Sequence, residues 1–159
     1  MGIYAAGTYT SVIVQPNVTL TLPEGFQLRA EAADYIWFSI GSENTAPEFA
    51  VMRPNRTGVV DALTRRSDIK AGKPFTVTVA GIDARAIDLS LVATAALGAK
   101  ILNTAVSTNF IFPPGTEGRL FELSVRGQEV VILYDAPEGG YPAFQQVAEQ
   151  IVASLQFPD

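Results

Sequence analysis

Hydrophobic and polar positions follow the clearest pattern in the last third of the chain. Residues 119–125 (RLFELSV) and 128–136 (QEVVILYDA) are two apolar runs separated by Arg126-Gly127, which predicts two antiparallel strands joined by a tight turn. Residues 142–157 then carry apolar side chains with the period of an amphipathic helix. These side chains are Phe144, Val147, Ala148, Ile151, Val152 and Leu155. The pattern predicts a C-terminal helix that packs one face on a sheet.

Shorter apolar runs bounded by turn residues predict further strands upstream. They cover residues 9–14, 18–22, 26–32, 35–40, 49–53, 75–79, 83–91 and 107–112. Residues 59–66 predict a short helix with Val59, Val60 and Leu63 facing inward. Residues 92–106 fit either a short helix broken at Gly98 or a loop packed on the sheet.

The order of these elements predicts one domain of the α+β class. Residues 1–7 are expected to be a tail or linker, and residues 8–159 a single globular domain. Its antiparallel β-sheet is covered by the C-terminal amphipathic helix and by the short internal helix. A chain of 159 residues is long enough to bury a core without metals or disulfides.

Charge and composition exclude several classes of function. Sixteen acidic and eleven basic residues give a net charge of −5, and Arg65-Arg66 is the only adjacent basic pair, which argues against nucleic acid as a partner. The chain has no histidine, so Ser-His and Cys-His catalysis and the commonest zinc ligand are excluded. No cofactor and no metal site are predicted. The absence of cysteine is compatible with any redox compartment.

The uncharged stretch before Glu24 was considered as a membrane segment. It is rich in Thr, Ser, Gln and Asn and lacks both a basic start and a continuous apolar core, so it predicts neither a signal peptide nor a membrane span. We expect no membrane insertion by this segment, and a signal or anchor of an exported protein would lie outside this sequence.

Carboxylates on the predicted hairpins are candidates for acid–base chemistry. Asp83 and Asp88 alternate to opposite faces of one strand, so they do not form a pair with each other. A carboxylate-based hydrolase or isomerase would have to use Asp88 or Glu122 together with Arg85. The alternative is that these groups are solvated, or that Arg85 pairs with a glutamate across the strands.

Aromatic residues and the apolar run at 92–112 are candidates for a binding surface. An exposed apolar patch of this kind marks a partner or ligand surface, whereas Trp37, Phe110 and Phe112 could equally belong to the core. The predicted ligand or partner surface comprises Trp37, Arg85, Asp88, Phe110, Phe112, Tyr134 and Tyr141.

The sequence between 17 and 157 resembles a known group of proteins. The segments that carry the resemblance are NVTLTLPEGFQ, DYIWFSI, FTVTVAGIDARAIDLSL, RLFELSVRGQEVVILYDAP and AFQQVAEQIVASLQF. They are similar to bacterial secreted and lipoprotein domains of unassigned function and, more distantly, to the PsbP-like fold, an α/β/α sandwich. The resemblance implies an extracytoplasmic location and, by analogy with photosystem proteins of that fold, a docking role. It supplies no catalytic residue and no metal ligand.

The resulting prediction is a noncatalytic extracytoplasmic domain that binds a protein partner or an apolar small molecule through residues 92–114 and the neighbouring aromatics. A carboxylate-based hydrolase or isomerase is the first alternative. A lipocalin-like small-ligand carrier is the second; Gly7-Thr8-Tyr9 and the number of strands favour it, and the helix at 59–66 argues against it.

Overall fold

The structure, a computed structural model, describes residues 5–106 and 108–159. Residues 1–4 of the predicted tail, and Ser107 at the start of a predicted strand, lie outside the described residues. Within them the chain forms twelve strands and two helices. The strands are β1 (Gly7–Ser11), β2 (Val18–Leu22), β3 (Phe26–Ala32), β4 (Tyr35–Ile40), β5 (Glu48–Met52), β6 (Lys70–Ala71), β7 (Phe75–Val79), β8 (Ile82–Leu91), β9 (Ala99–Asn103), β10 (Asn109–Phe112), β11 (Thr116–Val125) and β12 (Gln128–Pro137). The helices are α1 (Val59–Thr64) and α2 (Tyr141–Ser154).

Eight of the strands form one antiparallel sheet in the order β3-β4-β5-β12-β11-β8-β6, with β7 also paired to β8. The predicted turn at Arg126-Gly127 joins β11 to β12, and both residues have positive φ, as tight hairpin turns require. The fold is therefore the predicted α+β arrangement around an antiparallel sheet. This sheet is open and is therefore not the closed barrel of a lipocalin.

Both faces of the sheet are covered, which gives the molecule three layers. On one face α2 and the β1–β2 hairpin bury residues such as Phe26, Phe38 and Phe144. On the other face α1 and the β9–β10 hairpin bury a second cluster that includes Leu63 and Leu120. Side chains on each strand alternate between the two clusters, so both faces of the central strands are apolar.

The two helices follow the predicted pattern closely. In α1 the side chains of Val59, Val60 and Leu63 are buried as predicted, although the helix ends at Thr64 and not at residue 66. In α2 the buried side chains are Phe144, Ala148, Ile151 and Val152, and a proline lies in the first turn. Neither helix within the described residues has the length and apolar character that crossing a lipid bilayer requires.

Residues 92–106 form neither of the structures considered from sequence. Strand β9 lies within this stretch and pairs with β10 through an irregular register between Phe110 and Ile111. The side chain of Lys100 points outward, while Ala99 and Ile101 are buried on the sheet, so the stretch alternates as a strand does. The tail is also shorter than predicted, because Gly7 already pairs with Leu22.

Candidate functional site

A partly enclosed cavity of about 390 Å³ lies where loop 41–47 and the β9–β10 hairpin meet the sheet. This volume is within the range of small-molecule sites. We call it the carboxyl cavity, and it is lined by Arg29, Trp37, Asn44, Thr45, Ala46, Glu48, Thr108, Asn109, Phe110, Ile111, Pro113, Thr116, Asp135 and Pro137. Strands β3, β4, β5 and β12 contribute the rigid floor, and the loop and hairpin contribute the walls.

Two carboxyl groups lie side by side on the floor. Glu48 of β5 is the direct cross-strand partner of Asp135 of β12, so both side chains emerge from the same face of the sheet. Ser39 and Gly118 continue the same row on the neighbouring strands. Asp135 is only 8% exposed, whereas most aspartates lie at the surface. The row therefore interrupts an otherwise apolar sheet face with a buried acidic pair.

Burial shifts the protonation of both carboxyl groups in the same direction. It raises the pKa of Glu48 to about 7, against the opposing charge of Arg29. Burial, followed by repulsion from Glu48, also raises the pKa of Asp135 well above its ordinary range. Both groups therefore favour the protonated form more than exposed carboxyl groups do, and a protonated carboxyl can donate a hydrogen bond that its neighbour accepts.

Arg29 and two aromatic rings form one wall of the cavity. The guanidinium carbon of Arg29 lies 5.5 Å from the centre of the Trp37 ring, a cation–π arrangement. Phe110 packs edge-on against the same indole, with ring centroids 5.8 Å apart. The buried Nε1 of Trp37 makes no hydrogen bond of normal geometry within the described residues, although it lies near enough to Glu48 to favour the charged carboxylate. This wall thus offers donors opposite the acidic floor.

Gly118 permits the close packing behind the floor. A Cβ at this position would lie 2.7 Å from the ring of Phe112 and 3.0 Å from the Cβ of Asp135. Phe112 is 1% exposed and therefore belongs to the core, beside the cavity but not in its lining. The absence of a side chain at Gly118 lets the β9–β10 hairpin settle against the sheet and close the cavity from that side.

Apart from Phe112, which belongs to the core, the surface residues predicted from sequence fall in three separate places. Trp37 and Phe110 both line the carboxyl cavity. Asp88, Tyr134 and Tyr141 lie on the opposite, α2 side of the sheet, and Arg85 lies beside α1.

The group on the α2 side centres on Arg119. Its guanidinium donates to Asp88 at 2.7 Å and to Glu149 of α2 at 2.8 Å. The hydroxyl of Tyr134 donates to the same Glu149 carboxylate, and Tyr141 stacks on the Tyr134 ring. Burial and the neighbouring Glu149 raise the pKa of Tyr134, so this phenol stays protonated. This cluster fixes α2 to the sheet.

The two carboxylates proposed for the enzyme alternative lie on opposite faces of the sheet. Glu122 accepts hydrogen bonds from the backbone amides of Val59 at 2.6 Å and Val60 at 3.1 Å, where it caps α1. Arg85 donates to Asp61 of α1 at 2.8 Å, and Asp88 lies on the other face of the sheet. Alternation along β8 therefore separates Asp88 from Arg85. Glu122 is the direct cross-strand partner of Arg85 and also caps α1, so a site built on Glu122 and Arg85 stays a prediction.

The stretch 92–114 is divided between core and surface. Ile101, Leu102 and Phe110 are buried, whereas Leu97 is 82% exposed and Val106 69%. The hairpin therefore covers the sheet with one side and presents scattered apolar side chains to solvent with the other.

Sequence reasoning missed Glu48, Asp135, Arg29 and the cavity loop. One signal was present, since Asp135 follows a continuous apolar run and occupies a position where the strand is buried on both faces. The pairing of β5 with β12, which joins residues far apart in the chain, has no local signature. Without it the two carboxyl groups cannot be placed together.

Comparisons with known proteins give the fold and no assigned activity. No family model and no curated protein matches this chain. The solution structure of cyanobacterial PsbP (CyanoP) from Synechocystis sp. PCC 6803 is similar at a TM-score of 0.54 and 10% identity, over 99% of this chain and 96% of that one. A crystal structure from Bacteroides thetaiotaomicron is similar at 0.54 and 11% identity over 89% of this chain, which spans 45% of that protein. These likenesses, together with the topology, establish a PsbP-like fold.

Proposed function

On the premise of this PsbP-like fold, we propose that the chain is a noncatalytic extracytoplasmic binding domain that takes a small molecule into the carboxyl cavity. The observation that carries the proposal is the cavity itself, which combines a buried acidic pair with aromatic walls and a volume of about 390 Å³. Ligand sites characteristically pair apolar walls with a few placed polar groups. The extracytoplasmic location rests on the resemblance to bacterial secreted and lipoprotein domains.

A thermal-shift scan against metabolites, lipids, glycans and peptides tests this proposal. A ligand present at a hundred times its dissociation constant stabilises the folded state by about 2.7 kcal/mol. For a chain of this size that corresponds to a rise in melting temperature of about 5 to 11 °C. We expect at least one class of compound to produce such a shift.

A pair of variants localises the binding. Thr45 is exposed at the cavity rim, so Thr45→Phe should fill the mouth and abolish the shift. Thr78→Phe adds the same side chain at an exposed position of β7, away from the cavity, and should leave the shift unchanged. A shift that persists in Thr45→Phe would place binding elsewhere. A blank scan would count against a small-molecule ligand and direct attention to protein partners of the β9–β10 hairpin.

The second candidate is a carboxylate-based enzyme that uses Glu48 and Asp135. Adjacent carboxyl groups with raised pKa values can serve as general acid and base. Asp135→Asn tests the catalytic role of the pair. If Glu48 and Asp135 form an active site, this variant should abolish turnover of any bound compound. Unaltered compound recovered after incubation with the wild-type protein would support the noncatalytic assignment.

A further inference from the structure

The acidic floor of the carboxyl cavity indicates the chemistry of its ligand, and this inference rests on the function proposed above. Asp135 is more than nine-tenths buried, yet within the described residues only burial and the charge of Glu48 act on its carboxyl group, and no hydrogen bond to it is found. A buried carboxyl group without donors is unfavourable, so such groups are normally satisfied by a protein partner, water or a ligand. Here the unsatisfied group faces a cavity and not packed side chains.

The charges around the pair leave room for a cation. Arg29 of β3 is the charged residue that faces Glu48 across the lining, and its guanidinium is held over the Trp37 ring. The loop residues 44–46, the β10 residues and Thr116 of β11 face the floor with uncharged side chains. Asp135 therefore has no cationic neighbour among the lining residues to compensate the negative charge that it carries when ionised.

A metal ion and a stacked sugar both fit this site less well. Among the described residues no three or more metal-ligating side chains come together, and two carboxyl groups fall short of the six to eight oxygen ligands that calcium takes. A sugar usually stacks on a wide aromatic face, whereas Arg29 and Phe110 leave only part of the Trp37 ring free, enough for contact with a smaller apolar ligand body. An ammonium group needs only two or three acceptors at one point, which the acidic pair provides.

We propose that the carboxyl cavity binds small molecules through an ammonium group, which the Glu48–Asp135 pair receives while the organic body lies against Trp37 and Phe110. The ammonium group supplies the donors that Asp135 lacks, and its charge favours the ionised form of the two carboxyl groups. Binding is therefore coupled to proton release.

The test uses 2-phenylethylamine and two neutral analogues, 2-phenylethanol and N-acetyl-2-phenylethylamine. Trp37 is the single tryptophan of the chain and lines the cavity, so its indole N–H resonance reports occupancy directly. We expect the amine to shift this resonance and to bind at least about tenfold more tightly than either analogue. Asp135→Asn should weaken the amine at least about tenfold, whereas Glu43→Gln, an equal loss of charge on the exposed part of loop 41–47, should not.

The pH dependence gives an independent readout. The amine stays charged between pH 6 and 8, while Glu48, whose pKa is about 7, loses its proton. Affinity should therefore rise about tenfold between pH 6 and 8 in the wild type. Calorimetry in buffers of different ionisation enthalpy should show about one proton released per amine bound at pH 6.

Equal binding of the amine and its neutral analogues, or full binding by Asp135→Asn, would overturn the ammonium inference. Thermal-shift ligands of another class, lost in Thr45→Phe, would then leave the proposed binding function standing. If neither the three probes nor the scan shows binding at the cavity, both the inference and the proposed function are wrong.

Discussion

Glu48 shows how one partly buried side chain contributes to the pH dependence of stability. Its pKa lies at 4.5 in an ordinary environment and at about 7 in the fold, because burial disfavours the charged carboxylate. Between these two values the folded state binds more protons than the unfolded state. The contribution of protonated Glu48 to the free energy of unfolding is therefore fully present below about pH 4.5 and is lost as the pH rises through about 7. Asp135, shifted in the same direction, adds to this loss.

We predict that Glu48→Gln removes much of this decline. The shift corresponds to about 2 to 3 kcal/mol of unfolding free energy between pH 5 and pH 8. Urea unfolding at the two pH values measures it, and the variant should show a flatter profile than the wild type. Glu43→Gln serves as the control and should retain the wild-type slope. Identical slopes in wild type and Glu48→Gln would mean that the Glu48 carboxyl is effectively solvated.

Single residues also define what sequence could and could not show about the site. Trp37 and Phe110 were predicted as binding residues from their aromatic character, and both line the cavity. Arg85 and Asp88 were predicted from their charge and lie elsewhere, in ion pairs with Asp61 and Arg119. Charge alone does not distinguish a structural ion pair from a functional group, because the distinction depends on the neighbour across the sheet.

At the scale of elements, α1 depends on a group supplied from the sheet. Its N-cap residue, Gly58, has no side chain to bond the first amides, and Glu122 of β11 takes that role. A carboxylate at a helix N-terminus is favourable both as an acceptor and as a charge. Glu122 also raises the pKa of Glu129 beside it, after the larger effect of burial.

We predict that Glu122→Ala destabilises the domain by about 3 kcal/mol, since it leaves two buried amides without acceptors. Glu122→Gln keeps one acceptor oxygen and should lose about half as much. Urea unfolding gives the free energies, and amide hydrogen exchange at Val59 and Val60 locates the effect. Glu117→Ala, at a partly buried position of the same strand, is the control and should change stability little. Normal protection of the Val59 and Val60 amides in Glu122→Ala would show that the cap is dispensable.

The C-terminal helix α2 depends on burial of its apolar face against the sheet. Ile151 lies on the face of α2 that packs on the sheet and is fully buried. The neighbouring residue Gln150 is exposed. We predict that Ile151→Asp removes about 4 kcal/mol or more of stability and largely unfolds the domain, because it places an unpaired charge in the core. Gln150→Asp introduces the same charge on the solvent side and should leave the melting temperature within a few degrees. An unchanged melting temperature for Ile151→Asp would contradict the packing of α2.

At the scale of the whole molecule, two apolar cores share one sheet. The strands β11 and β12 place alternate side chains in both clusters, so neither cluster can be lost while the other persists. We predict a single cooperative unfolding transition. Fluorescence of Trp37 reports the side that holds the cavity, and far-ultraviolet circular dichroism reports the helices and strands of the whole domain. The two urea midpoints should coincide, and separate midpoints would show that the layers unfold independently.

Patterns within short stretches of the sequence are sufficient to predict most of the helices and strands. Apolar side chains recur with a period of two in β8 and β11 and with a helical period in 142–157, because one side of each element faces apolar neighbours. These periods predict the α+β class and the buried residues of α2. The strand at 99–103 and the contact between Glu48 and Asp135 depend on pairing between distant segments and are seen only in the folded chain. The physical reason is that a strand is completed by its partner, and the partners here are distant in the chain. The acidic pair, its raised pKa values and the cavity exist only once β5, β12 and the β9–β10 hairpin are brought together.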